Sequence, residues 1–400
     1  MKILTFTSLF PNTFQPDLAI FVYQRVSNLA RLTGNHVTVI APVPYFPSWI
    51  PLSRWRTFSR IPREERMGDL RVLHPRYPFV ARIMMPLHGL LIVFGCLAPM
   101  IRLKRRFNFE CIDSHFMYPD GFAAVLLGKI LGVPVTVSAR GTDINEYPSF
   151  RWIRPQIRWT LRHASGVMAV SAALREKIVE LGRPLDQIKV IANGIDPQLF
   201  TQIDRSEARR SLGLPQNAEI IICVAALRSV KRHKFLIQAI RLLTTKHPEL
   251  QLYIVGEGPL RSELELLLAE LNLTESVFLV GQKSNSDLKI WFNAANVSCL
   301  TSEKEGWPNV LCESLACGTP VVATRVGGIP EIVTSPEFGV LVEQDSESIA
   351  SGLEVALSRN WDRQEIARHA ANRTWVAVAT ETKDYLKECV EVWRQQRVAN

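Results

Sequence analysis

Two glutamates eight residues apart bracket a proline in "SEKEGWPNVLCESLACGTPVVAT", residues 302–324. Pro308 suits the first position of a helix and Gly318 the position just past its end, with "PVVAT" opening a strand two residues on; the spacing predicts a helix over 308–317. The first amides of that helix, on Asn309, Val310 and Leu311, lack intrahelical partners and carry the positive end of the dipole. Such a helix start suits a phosphate or a developing negative charge. Glu305, in the turn before it, can reach a polyol lying at that mouth, and Glu313, one turn inside, can take a vicinal diol through two hydroxyl-to-carboxylate bonds. Each also has a plain reading: a carboxylate complementing the dipole for Glu305, an exposed polar face for Glu313.

The surrounding elements fit such a site. Four hundred residues suit two domains better than one core. Short apolar runs alternate with helix-like stretches: "KILTFTS", "HVTVIAP", "CIDSHF", "VPVTVSA", "GVMAVS" and "IKVIAN" in the first half, then residues 219–226, "LQLYIVG", "VFLVG", "VSCLT" and "PVVAT". Helical patterns lie between them, at 19–33, 121–132, 172–182, 234–246 and 259–272. Continuous Val/Ile runs imply strands buried on both faces, hence parallel sheets and an α/β architecture twice over. The polar stretch 197–216 is the expected seam. No 20–50 residue repeat is visible, which excludes a solenoid.

Charge and cysteine content narrow the partners. Residues 1–200 hold 25 Lys/Arg against 13 Asp/Glu, whereas residues 201–400 hold 22 against 25. A basic half suggests an anionic counterpart: a phospholipid surface, a phosphorylated ligand or nucleic acid. No nucleic-acid motif accompanies the charge, so nucleic acid is not expected. Seven cysteines without a CxxC pair argue against a disulfide framework or zinc site, and the start "MKILTFTSLF" lacks the features of a secretory signal, so a cytosolic location is expected. Residues 83–101 carry no formal charge and precede Arg102, Lys104, Arg105 and Arg106. Two prolines, two glycines and His88 weaken a membrane span; a membrane-resting surface is the preferred reading, ahead of a buried crossover helix. "SWIPLSRWRTFSRIPR", residues 48–63, mixes Trp, Phe and Ile with four arginines and supports a lipid-facing patch.

The E-x7-E pair followed by "GTPVVATRVGGIPEIV" resembles the retaining glycosyltransferases of family four, with the GT-B fold of two Rossmann-like domains facing a central cleft. The likeness extends through "SHFMYPDGFAAVLLGKILGVPVTVSARGTDIN", "VIANGIDPQLF", "LYIVGEGPLRSELE", "VFLVGQ" and "FGVLVEQDSESIASGLEVAL". It implies an acceptor-binding domain over 1–197, a nucleotide-sugar-binding domain over 198–375, and a C-terminal helix over 376–400 that crosses back to the first domain. It assigns the ribose hydroxyls of a nucleotide-sugar to Glu313, the donor sugar near the reaction centre to Glu305, and the diphosphate to Lys231. Gly281, at the end of "VFLVG", joins the donor set with Asn309, Val310 and Leu311.

Three departures stand out. The family's usual arginine ahead of the lysine is Ala226 in "VAALRSVKRHK", so Arg228 or Lys234 must supply that charge; Arg228, in the same loop, is preferred. No glycine pair follows the first strand, where "FPNTFQPDLAIF" stands. The family's frequent histidine after "VTVSA" is Arg140, which cannot act as a general base but can bind a diphosphate; His115 and Asp143 sit on neighbouring strand ends.

The implied reaction is transfer of a hexose-type sugar to a glycan or a polyprenyl- or lipid-linked acceptor in surface polysaccharide assembly. The leaving diphosphate is stabilised by fixed cations, with no cofactor and no metal, since no DxD motif is present. The enzyme is expected to be peripheral on the inner face of the cytoplasmic membrane. A nucleotide-sugar epimerase of the same fold is the alternative. A Rossmann dehydrogenase is excluded by the missing G-x-G-x-x-G after the first strand.

Overall fold

A computed structural model describes residues 1–45, 58–79 and 85–399. The chain forms two compact units, divided after Asn193 and again after Thr374. The first division falls just ahead of the polar stretch expected to hold the seam.

In the first unit the strands are β1 (Lys2–Phe6), β2 (His36–Ile40), β3 (Val43–Tyr45), β4 (Glu64–Met67), β5 (Leu70–Leu73), β6 (Arg76–Pro78), β7 (Cys111–His115), β8 (Val135–Ala139), β9 (Gly166–Ala169) and β10 (Ile188–Val190). Eight of them form one sheet in the order β10-β9-β8-β7-β1-β2-β5-β4, while β3 and β6 pair separately. The ladders of the large sheet are parallel, as expected, with one antiparallel pair at its edge, β4 with β5. The order reverses direction at β1, between β7 and β2, and that break is the switch point of a doubly wound sheet. Strands β3 to β6 escape sequence reading because "VPY", "EERM", "LRVL" and "RYP" are short or charged rather than apolar runs.

Helix Ile20–Arg31 turns Val22, Arg25, Val26 and Leu29 inward at helical spacing. Against it packs the C-terminal helix Trp375–Ala399, whose Ala379, Leu386 and Val390 share one apolar cluster with Ile3, Val22 and Val26. The Tyr385 hydroxyl accepts the Val167 amide at 3.1 Å. Helix His88–Phe107 is the crossover between β6 and β7; it buries Ile92, Cys96, Met100 and Leu103 on one side and leaves Leu90 and Phe94 exposed on another. Residues 48–57 of the expected lipid-facing stretch lie outside the described residues, as do Ile83 and Met84.

The second unit, Gly194–Thr374, holds β11 (Glu219–Val224), β12 (Leu250–Val255), β13 (Val277–Gly281), β14 (Val297–Leu300), β15 (Val321–Thr324) and β16 (Gly339–Val342). They form a wholly parallel sheet, β13-β12-β11-β14-β15-β16, with its switch point between β11 and β14. Ile221, Cys223, Leu252, Ile254, Val297, Cys299 and Val322 are buried in its core, as continuous apolar strands require. The short β16, "GVLV", opens the stretch "FGVLVEQDSESIASGLEVAL" and is not among the strand-like runs read from the sequence.

Candidate functional site

The loops that follow β11 and β14 meet at the second unit's switch point, at the C-terminal ends of the strands. Lys231, in a single 3-10 turn after β11, places its Nζ 2.5 Å from Oε1 of Glu305, in the loop after β14. Ser302 Oγ donates to the same Oε1 at 2.6 Å. Two further bonds join the loops: the Thr301 hydroxyl donates to the Lys231 carbonyl at 3.0 Å, and the Glu303 amide to the Val230 carbonyl at 2.8 Å. The resemblance implies that Glu305 meets the donor sugar near the reaction centre and Lys231 the diphosphate, and the fold brings the two side chains into direct contact.

Gly327, after β15, makes the position of Glu305 possible. Its φ is +51°, and a Cβ there would stand 2.1 Å from the Glu305 carbonyl oxygen. Gly327→Ala should therefore do more than incur the about 1–2 kcal/mol cost of a left-handed backbone. It pushes Glu305 off Lys231, and turnover should fall roughly tenfold or more, as expected when a catalytic group is displaced by about an ångström. The thermal midpoint should drop by only a few degrees. Unchanged turnover would remove Gly327 from the site.

The helix that carries Glu313 runs Asn309–Ala316, with Pro308 as its N-cap, one residue shorter at each end than expected. Of the three amides assigned to an anion, the Leu311 N–H already donates to the Pro308 carbonyl at 3.1 Å, which removes it from the set. The Val310 amide has no partner among the described residues. At the other end Arg363 donates to the carbonyls of Gly318 and Cys317, both at 3.1 Å, and to Asn293 Oδ1 at 3.2 Å. A cation there complements the negative end of the dipole and fixes the helix from behind.

Glu313 is 8% exposed and makes no side-chain hydrogen bond or ion pair among the described residues. Burial alone pushes its carboxyl up to about 7. The plain reading of an exposed polar face is thereby corrected. A buried carboxylate without a partner is costly, and it is the kind of group that a ligand's hydroxyls can satisfy.

Ala226, Arg228 and Lys234 are all exposed around the β11 loop. The Arg228 side chain has no bonded partner among the described residues, and its carbonyl accepts the Lys231 amide at 3.0 Å, so the two cations share one short turn. Gly258 lets the loop after β12 press on this turn, since a Cβ would meet the Leu227 carbonyl oxygen at 2.4 Å. Gly281 ends β13, two strands from β11, and its carbonyl accepts the Gly256 amide at 3.0 Å. It shares the sheet edge with Lys231 and Glu305 without joining their cluster. Sequence reasoning missed Ser302, Gly327 and His233. The Gly-Gly of "RVGGIPE" was a usable signal for the second. His233, buried beneath the cationic turn, is held near 4 by burial and then by Lys231, so it stays neutral.

In the first unit, Arg140, His115 and Asp143 come together at the ends of β7 and β8. Arg140 donates from Nη1 to Asn193 Oδ1 at 2.9 Å and from Nη2 to His115 Nδ1 at 2.6 Å, with its guanidinium 5.6 Å from the Phe21 ring. Asp143 accepts the amides of Arg140, Gly141 and Met117 at 2.7–3.0 Å. Both carboxylate oxygens are thus used by backbone, making Asp143 a brace for the strand ends rather than a ligand-facing group. His115 is fully buried, and burial, then Arg140 and Arg25, lowers its pKa well below the usual imidazole range. Arg140 is thus held by Asn193 and His115, while its Nε has no hydrogen-bond partner among the described residues. Where the family often carries a glycine pair, the Ser8 amide and hydroxyl instead donate to Asp120 Oδ2, at 2.8 and 3.0 Å.

The profile of the family described as glycosyl transferases group 1 matches residues 204–373, and that of glycosyltransferase family 4 matches residues 18–199. The chain is 29% identical over 246 residues to the N-acetyl-alpha-D-glucosaminyl L-malate synthase of Bacillus anthracis, a match that spans 61% of this chain and 64% of that protein. It is 26% identical over 363 residues to TuaC of Bacillus subtilis, a glycosyltransferase whose name assigns it to teichuronic acid biosynthesis, covering 88% of each. Among solved structures, the sucrose-phosphate synthase of Thermosynechococcus elongatus superposes with a TM-score of 0.76 at 20% identity, over 100% of this chain and 99% of that one. Anabaena HepE in complex with UDP-glucose does so with 0.71 at 21% identity, over 97% and 100%. At such identities the likeness is one of fold: two Rossmann-like domains of the GT-B type.

Proposed function

Because the chain belongs to the glycosyltransferases of family four, group 1, we propose that it moves a hexose-type sugar from a nucleotide-sugar donor to a glycan or lipid-linked acceptor. The observation that carries this reading is the Lys231–Glu305 pair at the switch point, together with the buried, unpartnered carboxylate of Glu313. The bound UDP-glucose of HepE supports a donor of that class, and the assignment of TuaC to teichuronic acid biosynthesis supports a glycan acceptor.

In this reading Glu313 accepts the ribose hydroxyls, trading a solvent-starved carboxylate for two charge-assisted hydrogen bonds. Lys231, Arg228 and the Val310 amide face the diphosphate and take up the charge that grows on it as the glycosyl bond breaks. These fixed cations do the work that a bridging metal does elsewhere, so transfer proceeds in the presence of a chelator. Glu305, held by Lys231 and Ser302, lies next to the leaving diphosphate and orients the sugar ring. The anomeric configuration is retained. The enzyme acts as a peripheral protein at the inner face of the cytoplasmic membrane.

The test is incubation with a panel of nucleotide sugars, with and without a lipid-linked acceptor. Acceptor-dependent release of nucleoside diphosphate, with the product's anomeric configuration unchanged by NMR, is the expected result. Acceptor-free interconversion of the sugars would replace this reading with the epimerase.

A further inference from the structure

The first unit contains a cavity of 540 Å³ lined by none of the residues assigned to the donor. Among the described residues, Arg63, Arg71, Arg76, Arg102 and Arg106 line it, against a single carboxylate, Glu64. Arg71 occupies that carboxylate with both arms, at 2.7 and 3.0 Å. Arg76 is anchored to the carbonyls of Phe58 and Ile61, and burial, then the nearby Arg63, holds its pKa below the usual guanidinium range. The side chains of Arg63, Arg102 and Arg106 have no hydrogen bond or ion pair among the described residues. Cations gathered without countercharge repel one another, and an anion entering the cavity relieves that repulsion.

The wall of the cavity identifies the anion's source. Helix His88–Phe107 contributes Gly95, Pro99, Arg102 and Arg106 to the lining. Its outward stripe runs through Leu90, Phe94 and Ala98 at steps of four and reaches Arg102. Phe94 is 76% exposed and Leu90 49%. An 18-residue window within Met85–Phe107 has a mean hydropathy of 1.6, yet only 28% of that window is buried. A solvent-facing apolar stripe that ends in arginines is poorly suited to water and well suited to the boundary between acyl chains and headgroups.

We propose that this cavity is a headgroup site for a phosphate-bearing membrane lipid, with Leu90 and Phe94 seated among the acyl chains beside it. The site deepens the membrane part of the proposed function and is independent of the donor assignment. Guanidinium forks match phosphate oxygens two at a time, so the cavity distinguishes a doubly charged phosphomonoester from a diffuse negative surface.

Flotation with phosphatidylcholine vesicles carrying phosphatidic acid or phosphatidylglycerol, matched for total charge, tests this. The protein should bind the phosphatidic acid vesicles most tightly and pure phosphatidylcholine least. Arg63, Arg102 and Arg106 changed together to Gln should weaken phosphatidic acid binding about a hundredfold. Phe94→Ser should weaken binding to both anionic vesicles. Equal binding of the two anionic vesicles, or a triple variant that floats like the parent, would overturn the proposal. So would competition by soluble glycerol phosphate as strong as that by the vesicles, since the site would then serve a free phosphate. The parent should bind UDP, measured in parallel, and every variant should bind it equally; a parent that binds no UDP would count against the donor reading alone.

Discussion

Lys231→Ala should lower sugar transfer at saturating donor by two to three orders of magnitude while leaving the fold intact. Lys231 is a cation that the second unit holds in direct contact with a site carboxylate, at 2.5 Å. Removing a single well-placed donor from a developing negative charge costs about 2.7–4 kcal/mol of barrier. The loss has a second part, because Glu305 loses its lysine while keeping the hydrogen bond from Ser302, and an anion then faces the diphosphate. Glu305→Gln in the same background should therefore recover part of the lost activity, the non-additivity expected of groups that act as a unit. Parallel kcat measurements and thermal melts check this. A single variant within about threefold of the parent would take Lys231 out of the chemistry.

Much of this pair was legible in the sequence, and physical reasons separate what was from what was not. The buried strands announced themselves because parallel sheets need continuous apolar runs, as in "EIIICV" and "LQLYIV". The β4–β6 region did not, since an edge strand such as "EERM" carries its charges in solvent. Glu305 and Lys231 were found through their setting in the motif; the distance between them depends on a sheet order that places β14 beside β11. The loss of the Leu311 amide was invisible because it turns on where the helix starts, and Pro308 stands one position earlier than its residue type suggests. The brace role of Asp143 was hidden too, as no pattern of residue types reveals three converging amides.

Glu313→Gln should make the protein more stable and less able to bind nucleotide. The carboxyl titrates at about 7 in the fold, against an ordinary 4.5. The native state therefore keeps a proton that the unfolded chain releases between those values. The stability this contributes is complete below about pH 4.5 and is lost as pH rises through 7. At pH 8 the ionised group then costs the fold about 3 kcal/mol. The amide keeps the shape and has no charge, so the variant should gain about that much at pH 8 and nothing at pH 4, as read from urea midpoints. Ribose hydroxyls that donate to a carboxylate favour its ionised form, so the parent's affinity for UDP should rise between pH 6 and 8. In the variant it should be flat across that range and about 10- to 100-fold weaker at pH 8, the worth of hydrogen bonds to a charged group. Calorimetry with unchanged affinity would refute the ribose assignment. A gain in stability coupled to a loss in binding is the usual mark of a functional group held in an unfavourable setting.

The helix Trp375–Ala399 closes the core begun by Ile3, Val22 and Val26, and this has a consequence for how the protein is made. A ribosome delivers the first 193 residues and must then translate the whole of the second unit before the closing helix emerges. At about 5–20 residues per second that delay is on the order of ten seconds or longer. Through that interval the apolar groove along Ile20–Arg31 stays open on a nascent chain, within reach of chaperones and of neighbouring copies. The segment translated later can thus complete its own sheet while the segment translated first is still waiting.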